Sequence, residues 1–462
     1  MLVLRIPRNG LSSREISLSG GHMKKYSKLV LLVSILTMFM FMSMPVTTAF
    51  AKSHYPIILV GGWMSWGRAE LDGLKYWGGL RDIQLMLREK GYQVYTAEVS
   101  PLGSNWDRAC ELYAQIKGGA VDYGAGHSGY FGHAETTPAK VYPGFYPEWG
   151  TAHHGTGRKH KVHLVGHSMG AQTIRYLTQL SENGSPTEQL IASQNPAYQI
   201  SPLFSGTGVT KGAIASVTSI SGPHDGNTLV YLLANQNVFN SYVSFFDSLV
   251  SLATTDPAID LKLDQWGISK APGETDVQYI VRAMTNSPLA ASPDSSLVDL
   301  SPQGAAYLNS QAAAQPGVYY FSYATSDTHE SGGVQVPNAN MNPYLVPGST
   351  IEGQLLGEFG NPPYLITQSW WENDGLLPTV SQNGPKVGSG DIIVDKSDMT
   401  DAQCDQEGVF QPGVWNYMGK VANTDHYAVL GIRQDDPKVI AKDLRNFYLK
   451  IAHTLQHLQH LQ

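Results

Sequence analysis

Residues 161–177, KVHLVGHSMGAQTIRYL, contain a strand, a turn and a helix in immediate succession. Val162, Leu164 and Val165 form a short apolar run that reads as a buried strand, and the run enters Gly166-His167-Ser168-Met169-Gly170. The helix-compatible stretch 171–177 follows. A G-x-S-x-G pentapeptide between strand and helix marks a sharp turn that lifts a serine hydroxyl above a sheet. Its glycines leave room for backbone to pack against backbone. The first N–H groups of the following helix, with their dipole, favour a negative charge developing beside the serine. In a chain with 47 glycines the pentapeptide alone says little; it occurs once, and its flanks give it weight.

Outward from this turn the pattern is that of an α/β protein. Residues 55–60, YPIILV, are a continuous apolar run suited to a buried parallel strand, and they lead into Gly61-Gly62-Trp63. An amphipathic helix is expected over 79–90, with Leu80, Ile83, Leu85 and Leu87 on its apolar face, and a strand over 92–99. The order strand, helix, strand predicts a mostly parallel central sheet flanked by helices. A further helix is expected over 105–117. Residues 118–158, rich in Gly, Tyr and His, are too long for a plain connection and read as an inserted excursion carrying His127 and His133. Strands over 213–221 and 318–324 and a terminal amphipathic helix over 436–455 complete the core. The apolar stretch 227–253 reads as a helical lid over an apolar cleft, with an ordinary buried helix as the plainer alternative.

The start of the chain reads as a secretory leader. From Met23, three lysines (Lys24, Lys25 and Lys28) precede an apolar run to Met44, and Ala49-Phe50-Ala51 has the small-residue form of a cleavage site. Residues 1–51 are therefore expected to be an upstream extension plus signal peptide, and 52–462 the folded domain, secreted from a bacterium without a stable membrane anchor. Removing the leader takes the formal charge from −7 to about −12. An acidic chain with no basic cluster argues against nucleic acid as a partner. Two cysteines, Cys110 and Cys404, make no disulfide framework and are expected to stay unpaired.

A serine at such a turn needs a base and an acid, in chain order Ser, Asp or Glu, His. Ser168, Asp374 in WWENDG and His426 in NTDH satisfy that order, although order alone also admits Asp391, Asp395, Asp398 and His453. The serine is a weak nucleophile until the histidine takes its proton, and the aspartate holds the imidazole tautomer. The backbone N–H groups of Trp63, just after the first strand, and of Met169 are the candidate oxyanion donors.

The stretches YPIILVGGWMSWGR, LKYWGGLRDI, PLGSNWDRACELYAQIKGGAVDYG, VHLVGHSMGAQTIRYL, LKLDQWG, WWENDGLLPTVSQNGPK, GVWNYMG and DHYAVLGI run nearly end to end. On these motifs the chain resembles the bacterial lipases of the thermoalkalophilic Bacillus/Geobacillus and staphylococcal group (families I.5 and I.6), which are α/β-hydrolases. The resemblance implies Ser168, Asp374 and His426 as the triad. It also implies a structural zinc ion bound by Asp107 of NWDRAC, His127, His133 and Asp264 of LDQWG, in a subdomain made of 105–160 and 255–270. Two departures stand out. Gly61-Gly62 replaces the family's His-Gly, and Met169 replaces the glutamine after the nucleophile. Relatives also bind calcium through acids shortly after the catalytic histidine. Here Ala428 stands where the first is expected and Arg433 near the next, so no calcium ligands are assigned, Asp435 and Asp436 included.

The expected activity is that of a secreted carboxylic ester hydrolase, a triacylglycerol lipase or esterase with an acyl-enzyme intermediate, whose cleft could also admit polyester chains. The competing reading is a lipid-binding surface protein with a degenerate hydrolase fold. A metal-dependent hydrolase would need an open zinc position, which a four-ligand shell does not leave.

Overall fold

The computed structural model describes residues 55–71, 73–251, 259–432 and 442–461. The expected leader, residues 1–51, lies outside them, as do Arg433, Asp435, Asp436 and the end of the expected lid segment, 252–253. Seven strands form the central sheet: β1 (Ile57–Val60), β2 (Val94–Ala97), β3 (Val162–His167), β4 (Ile214–Ile220), β5 (Tyr319–Ser326), β6 (Ile393–Asp395) and β7 (Trp415–Ala422). Their order is β6-β7-β5-β4-β3-β1-β2, and every neighbouring pair is parallel. Burial on both faces explains the continuous apolar run of β1. Alternate side chains part company: Ile57 and Leu59 enter one core, Ile58 and Val60 the other.

Helices cover both faces. α1 (Ile83–Arg88) is shorter than the periodicity predicts. Asp82 caps it by accepting the Leu85 N–H and is itself gripped by Arg68, which holds the preceding residues in a turn; Leu85 faces solvent. α2 (Asn105–Lys117) has the expected bounds, with Ser104 Oγ accepting the Asp107 N–H, a cap worth about 1 kcal/mol. The excursion folds into α3 (Ala125–Phe131) and an antiparallel pair, Gly119–Asp122 with Thr136–Tyr142. α4 (Met169–Asn183) is the helix of the turn, and it packs on α2 through the core of Ile174, Leu177, Ala109 and Leu112. α5 (Gln236–Val250), α6 (Asp276–Thr285), α7 (Val346–Glu352) and α8 (Lys442–His457) complete the helices used below. Cys110 and Cys404 are buried and free.

The register brings the functional loops together. Val60 pairs with Gly166, and Ile220 with His167, so β1, β3 and β4 end at one level. Their following loops therefore open on the same edge of the sheet, where ligands bind in parallel α/β folds. The packing there is tight enough to exclude a methyl group. A Cβ on Gly170 would collide with the carbonyl oxygen of Val60, and one on Gly166 with the backbone of Gly170. Gly170→Ala is expected to destabilise the protein by about 1–3 kcal/mol. The check is the urea midpoint; an unchanged midpoint would contradict the close approach.

Candidate active site

Ser168 sits at φ 58° and ψ −133°, a conformation that non-glycine residues avoid and that costs on the order of 1–3 kcal/mol. The strain is held by its surroundings. The Ser168 N–H donates to the Ile220 carbonyl at 3.0 Å, and a Cβ on Gly62 would lie 2.5 Å from Ser168 Cβ. Gly62 is thus a glycine because the loop after β1 lies directly against Ser168.

His426 and Asp374 form the second half of the site. Nδ1 of His426 is 2.9 Å from Asp374 Oδ2, and the His426 backbone N–H donates to the Asp374 carbonyl at 2.9 Å. Asp374 is fully buried, and its carboxylate collects further donors. Oδ2 accepts from Thr325 Oγ1 and Gln382 Nε2, and Oδ1 accepts from the N–H groups of Leu376 and Leu377. Both oxygens of the buried carboxylate are thus satisfied by hydrogen-bond donors. Of the acids that sequence order left open, Asp374 is the one hydrogen-bonded to His426. Asp391 instead accepts from the indole of Trp415 and the N–H of Ala314.

Two buried groups that sequence reasoning did not single out organise the surroundings of Ser168. Arg108 of α2 donates to the carbonyls of Gly61, Gly62 and Ser100, and its Nε donates to Thr173 Oγ1 on α4. In a planar trans peptide the C=O and the next N–H point in opposite directions. Holding the Gly62 carbonyl therefore turns the Trp63 N–H away from Arg108. Burial lowers the guanidinium pKa to about 10, which leaves it charged at neutral pH. The second group is the pair His167 and Tyr76. His167 Nε2 lies 3.0 Å from the His426 carbonyl oxygen and brings His426 beside the residue preceding Ser168.

An apolar cavity adjoins these residues, lined by Trp63, Tyr427, Phe245, Phe246, Ile280 and Met284. Its roof is α5, within the expected lid segment. The helix buries Val238, Tyr242, Phe245, Phe246 and Leu249, which share one face, and turns Gln236, Asn240 and Asp247 outward. It is tied to the neighbours of Asp374 and His426. Tyr242 donates to the carbonyl of Gly375, next to Asp374, at 3.1 Å, and Phe245 packs on Tyr427, next to His426, at 4.7 Å between centroids.

A second cluster lies on the inserted excursion. Asp107, His127, His133 and Asp294 bring one ligand atom each within 4.8 Å of the others. Four of the contacts measure 3.1, 3.4, 3.4 and 3.8 Å. A tetrahedral zinc with bonds near 2.0 Å has ligand–ligand edges of about 3.3 Å. His133 Nδ1 donates to the Ala134 carbonyl, which leaves Nε2 as a free lone pair. Asp107 Oδ2 accepts from Gln265, while Asp107 Oδ1 and His133 Nε2 are buried without a hydrogen-bond partner. Unpaired buried atoms facing one another in this geometry suit a cation.

Asp264 is not part of this cluster, which corrects the expected ligand set. It starts a 3-10 turn (Asp264–Trp266), is half exposed, and pairs with Lys140 at 2.5 Å. That turn advances about 120° per residue. It sends Asp264 outward while Gln265 reaches Asp107 and Trp266 packs on His133. Asp294 takes the fourth corner; nothing in its local sequence sets it apart from other loop acids. Ala428, at the expected calcium position, is buried in a 3-10 turn and offers no side-chain oxygen. Asp425 holds that turn by accepting the N–H groups of Tyr427 and Ala428.

The family model described as "Lipase-like, C-terminal domain" matches residues 53–462. A lipase of Staphylococcus epidermidis is 34% identical over 412 residues, covering 87% of this chain and 54% of the relative. The chain thus spans about half the length of the curated relatives it matches. Among solved structures, EstA from Clostridium botulinum superposes with a TM-score of 0.75 at 38% identity, covering 90% of each chain. Lipase 1 from Pelosinus fermentans does so with 0.72 at 39%, covering 88% of this chain and 99% of its own. The parallel sheet, the strained serine between β3 and α4 and these likenesses agree: the chain belongs to the lipase-like family, in the group of the staphylococcal lipases, with an α/β-hydrolase fold.

Proposed function

We propose that this chain is a carboxylic ester hydrolase of lipase type, acting through Ser168, His426 and Asp374 and an acyl-enzyme intermediate. The carrying observation is the buried His426–Asp374 pair, tied through the His426 carbonyl to His167, the residue before a serine held at positive φ. His426 removes the Ser168 proton as Oγ attacks the ester carbonyl, and Asp374 stabilises the imidazolium. The N–H groups of Trp63 and Met169 hold the oxyanion, the first turned by Arg108 and the second at the start of α4. His426 then protonates the leaving alcohol and activates the water that releases the acid. A lipid-binding protein would gain nothing from an acid surrounded by donors to its histidine, so the degenerate-fold reading is the weaker one.

The apolar cavity beneath α5 supports a long acyl chain as substrate, with α5 as the lid that must move to admit it. The same opening would expose a slot for extended polyester chains; the check is acid release from polyester film. Zinc is the metal proposed for Asp107, His127, His133 and Asp294, where it would tie α2 and α3 to the segment around Asp294. Four protein ligands close its shell, so its role is structural. Export is proposed from the pattern of residues 23–51, and no helix among the described residues is long and apolar enough to cross a membrane.

The test is acid release from tributyrin and from triolein emulsions, with Ser168→Ala as control. Activity on both is expected. Activity confined to tributyrin would mean an esterase with a shorter cleft, and none on either would remove the hydrolase reading.

A further inference from the structure

His167 immediately precedes the nucleophile, is fully buried, and uses both ring nitrogens. Its Nε2 faces the carbonyl oxygen of His426 at 3.0 Å. A carbonyl can only accept, so Nε2 carries the ring proton and donates it. Nδ1 is then an acceptor, and the Tyr76 hydroxyl 2.8 Å away must donate to it. The Tyr76 oxygen in turn accepts the Gly62 N–H at 3.0 Å. A single arrangement of protons satisfies all three contacts. The line runs from the loop after β1, through Tyr76 and His167, to the backbone of the base.

We propose that Tyr76 and His167 are positioning residues whose hydrogen-bonded bridge sets the separation between the oxyanion loop at Gly62-Trp63 and the general base His426. The inference rests on the hydrolase function proposed above. It concerns how two loops that meet only through folding are kept in one geometry.

Several features make the bridge rigid. Tyr76, His167 and His426 are all buried. The edges of Tyr76 and Trp77 meet the His167 ring at 62° and 79°, which fixes its plane. Burial raises the Tyr76 phenol above its usual range, and burial with the neighbouring His426 holds His167 well below its own. Both therefore stay neutral while the enzyme works, and the proton pattern persists. Neutrality matters chemically too. The His167 ring lies 4.5 Å from the His426 ring, which becomes a cation each time Ser168 is deprotonated. A charged His167 would oppose that step.

The plainer reading is that the bridge only satisfies buried polar groups, and the two readings differ in what a broken bridge does. Tyr76→Phe keeps the ring and its edge contact with Trp66 and removes the hydroxyl alone. On a soluble short-chain ester its kcat is expected to fall roughly 10–100-fold, as small misplacements of catalytic groups do. KM should stay within about threefold, since no contact to substrate is lost. The rate at which a fluorophosphonate modifies Ser168 should fall by the same factor. His167→Gln retains an N–H for the His426 carbonyl but loses the Nδ1 acceptor, and should also slow kcat. The Tyr76→Phe/His167→Gln double variant should be no slower than the slower single, because both cut one line.

A merely structural role would lower Tm and leave kcat and the phosphonate rate of the folded protein within about twofold of wild type, which overturns the proposal. Effects that multiply in the double variant overturn it as well. Should Tyr76→Phe fail to fold, His167→Gln is read the same way, with unchanged kcat as the contrary result. Ser168→Ala separates the two levels. Hydrolysis surviving in it overturns the reading of Ser168 as the nucleophile, whereas its loss with unimpaired Tyr76→Phe overturns only the bridge.

Discussion

Asp374→Asn is expected to lower kcat for ester hydrolysis by roughly 10⁴-fold, and Ser168→Ala by about 10⁴–10⁶-fold. The first effect follows from the donors around the carboxylate. Thr325, Gln382 and His426 all converge on Oδ2, and two backbone N–H groups converge on Oδ1. A side-chain amide can present an oxygen to only one of these sets. With its NH₂ toward Oδ2's partners, it would face three donors and drive His426 into the tautomer that cannot take the serine proton. With its NH₂ toward Leu376 and Leu377, it would oppose two backbone donors and strain the turn that carries it. The measurement is kcat on a soluble ester, with circular dichroism to show the fold intact. A folded Asp374→Asn protein within tenfold of wild type would mean that another acid serves His426. Adding Ser168→Ala to Asp374→Asn should lower the rate little beyond Ser168→Ala alone, since the residues act as one unit.

Asp294→Ala should strip the bound metal and lower Tm on the order of 10 °C, while Asp264→Ala leaves both unchanged. The two aspartates differ in setting. Asp294 lies among buried partners, 3.1 Å from His127 and 3.4 Å from His133, whereas Asp264 is half exposed and paired with Lys140. Removing one acid from a buried cluster leaves the others uncompensated, at a cost of about 3–5 kcal/mol. An exposed pair contributes at most about 1 kcal/mol. Metal content by elemental analysis and a thermal scan of each variant decide the matter. Metal lost from Asp264→Ala and kept by Asp294→Ala would invert the assignment. Because the four-ligand shell has no open position, chelation should lower Tm while kcat at 25 °C stays within about twofold. An immediate loss of activity on chelation would instead place the metal in the chemistry.

How far the chain could be read without coordinates depended on the distance over which each feature is encoded. The turn at Ser168 is written in five consecutive residues, since its strain and close packing need glycines on both sides of the serine. The strand 55–60 and the helix Asn105–Lys117 are equally local, set by apolar runs and a cap. The turn drew attention to Ser168, whereas Asp374, His426, Asp107, His127 and His133 came from the resemblance of longer stretches to a lipase group. The fold joins His426 to Asp374 and gathers Asp107, His127 and His133. The fourth metal corner could not be found that way. Asp294 meets His127 across 167 residues, and a single 3-10 turn points Asp264 the wrong way although its two successors reach the site. Arg108, Tyr76 and His167 were equally silent, because a buried polar side chain acquires its role only from what packs against it. Local sequence specifies backbone conformation and the chemistry carried at each position. Which of those groups share a site is a matter of strand register and helix packing, which sum contacts over the whole chain.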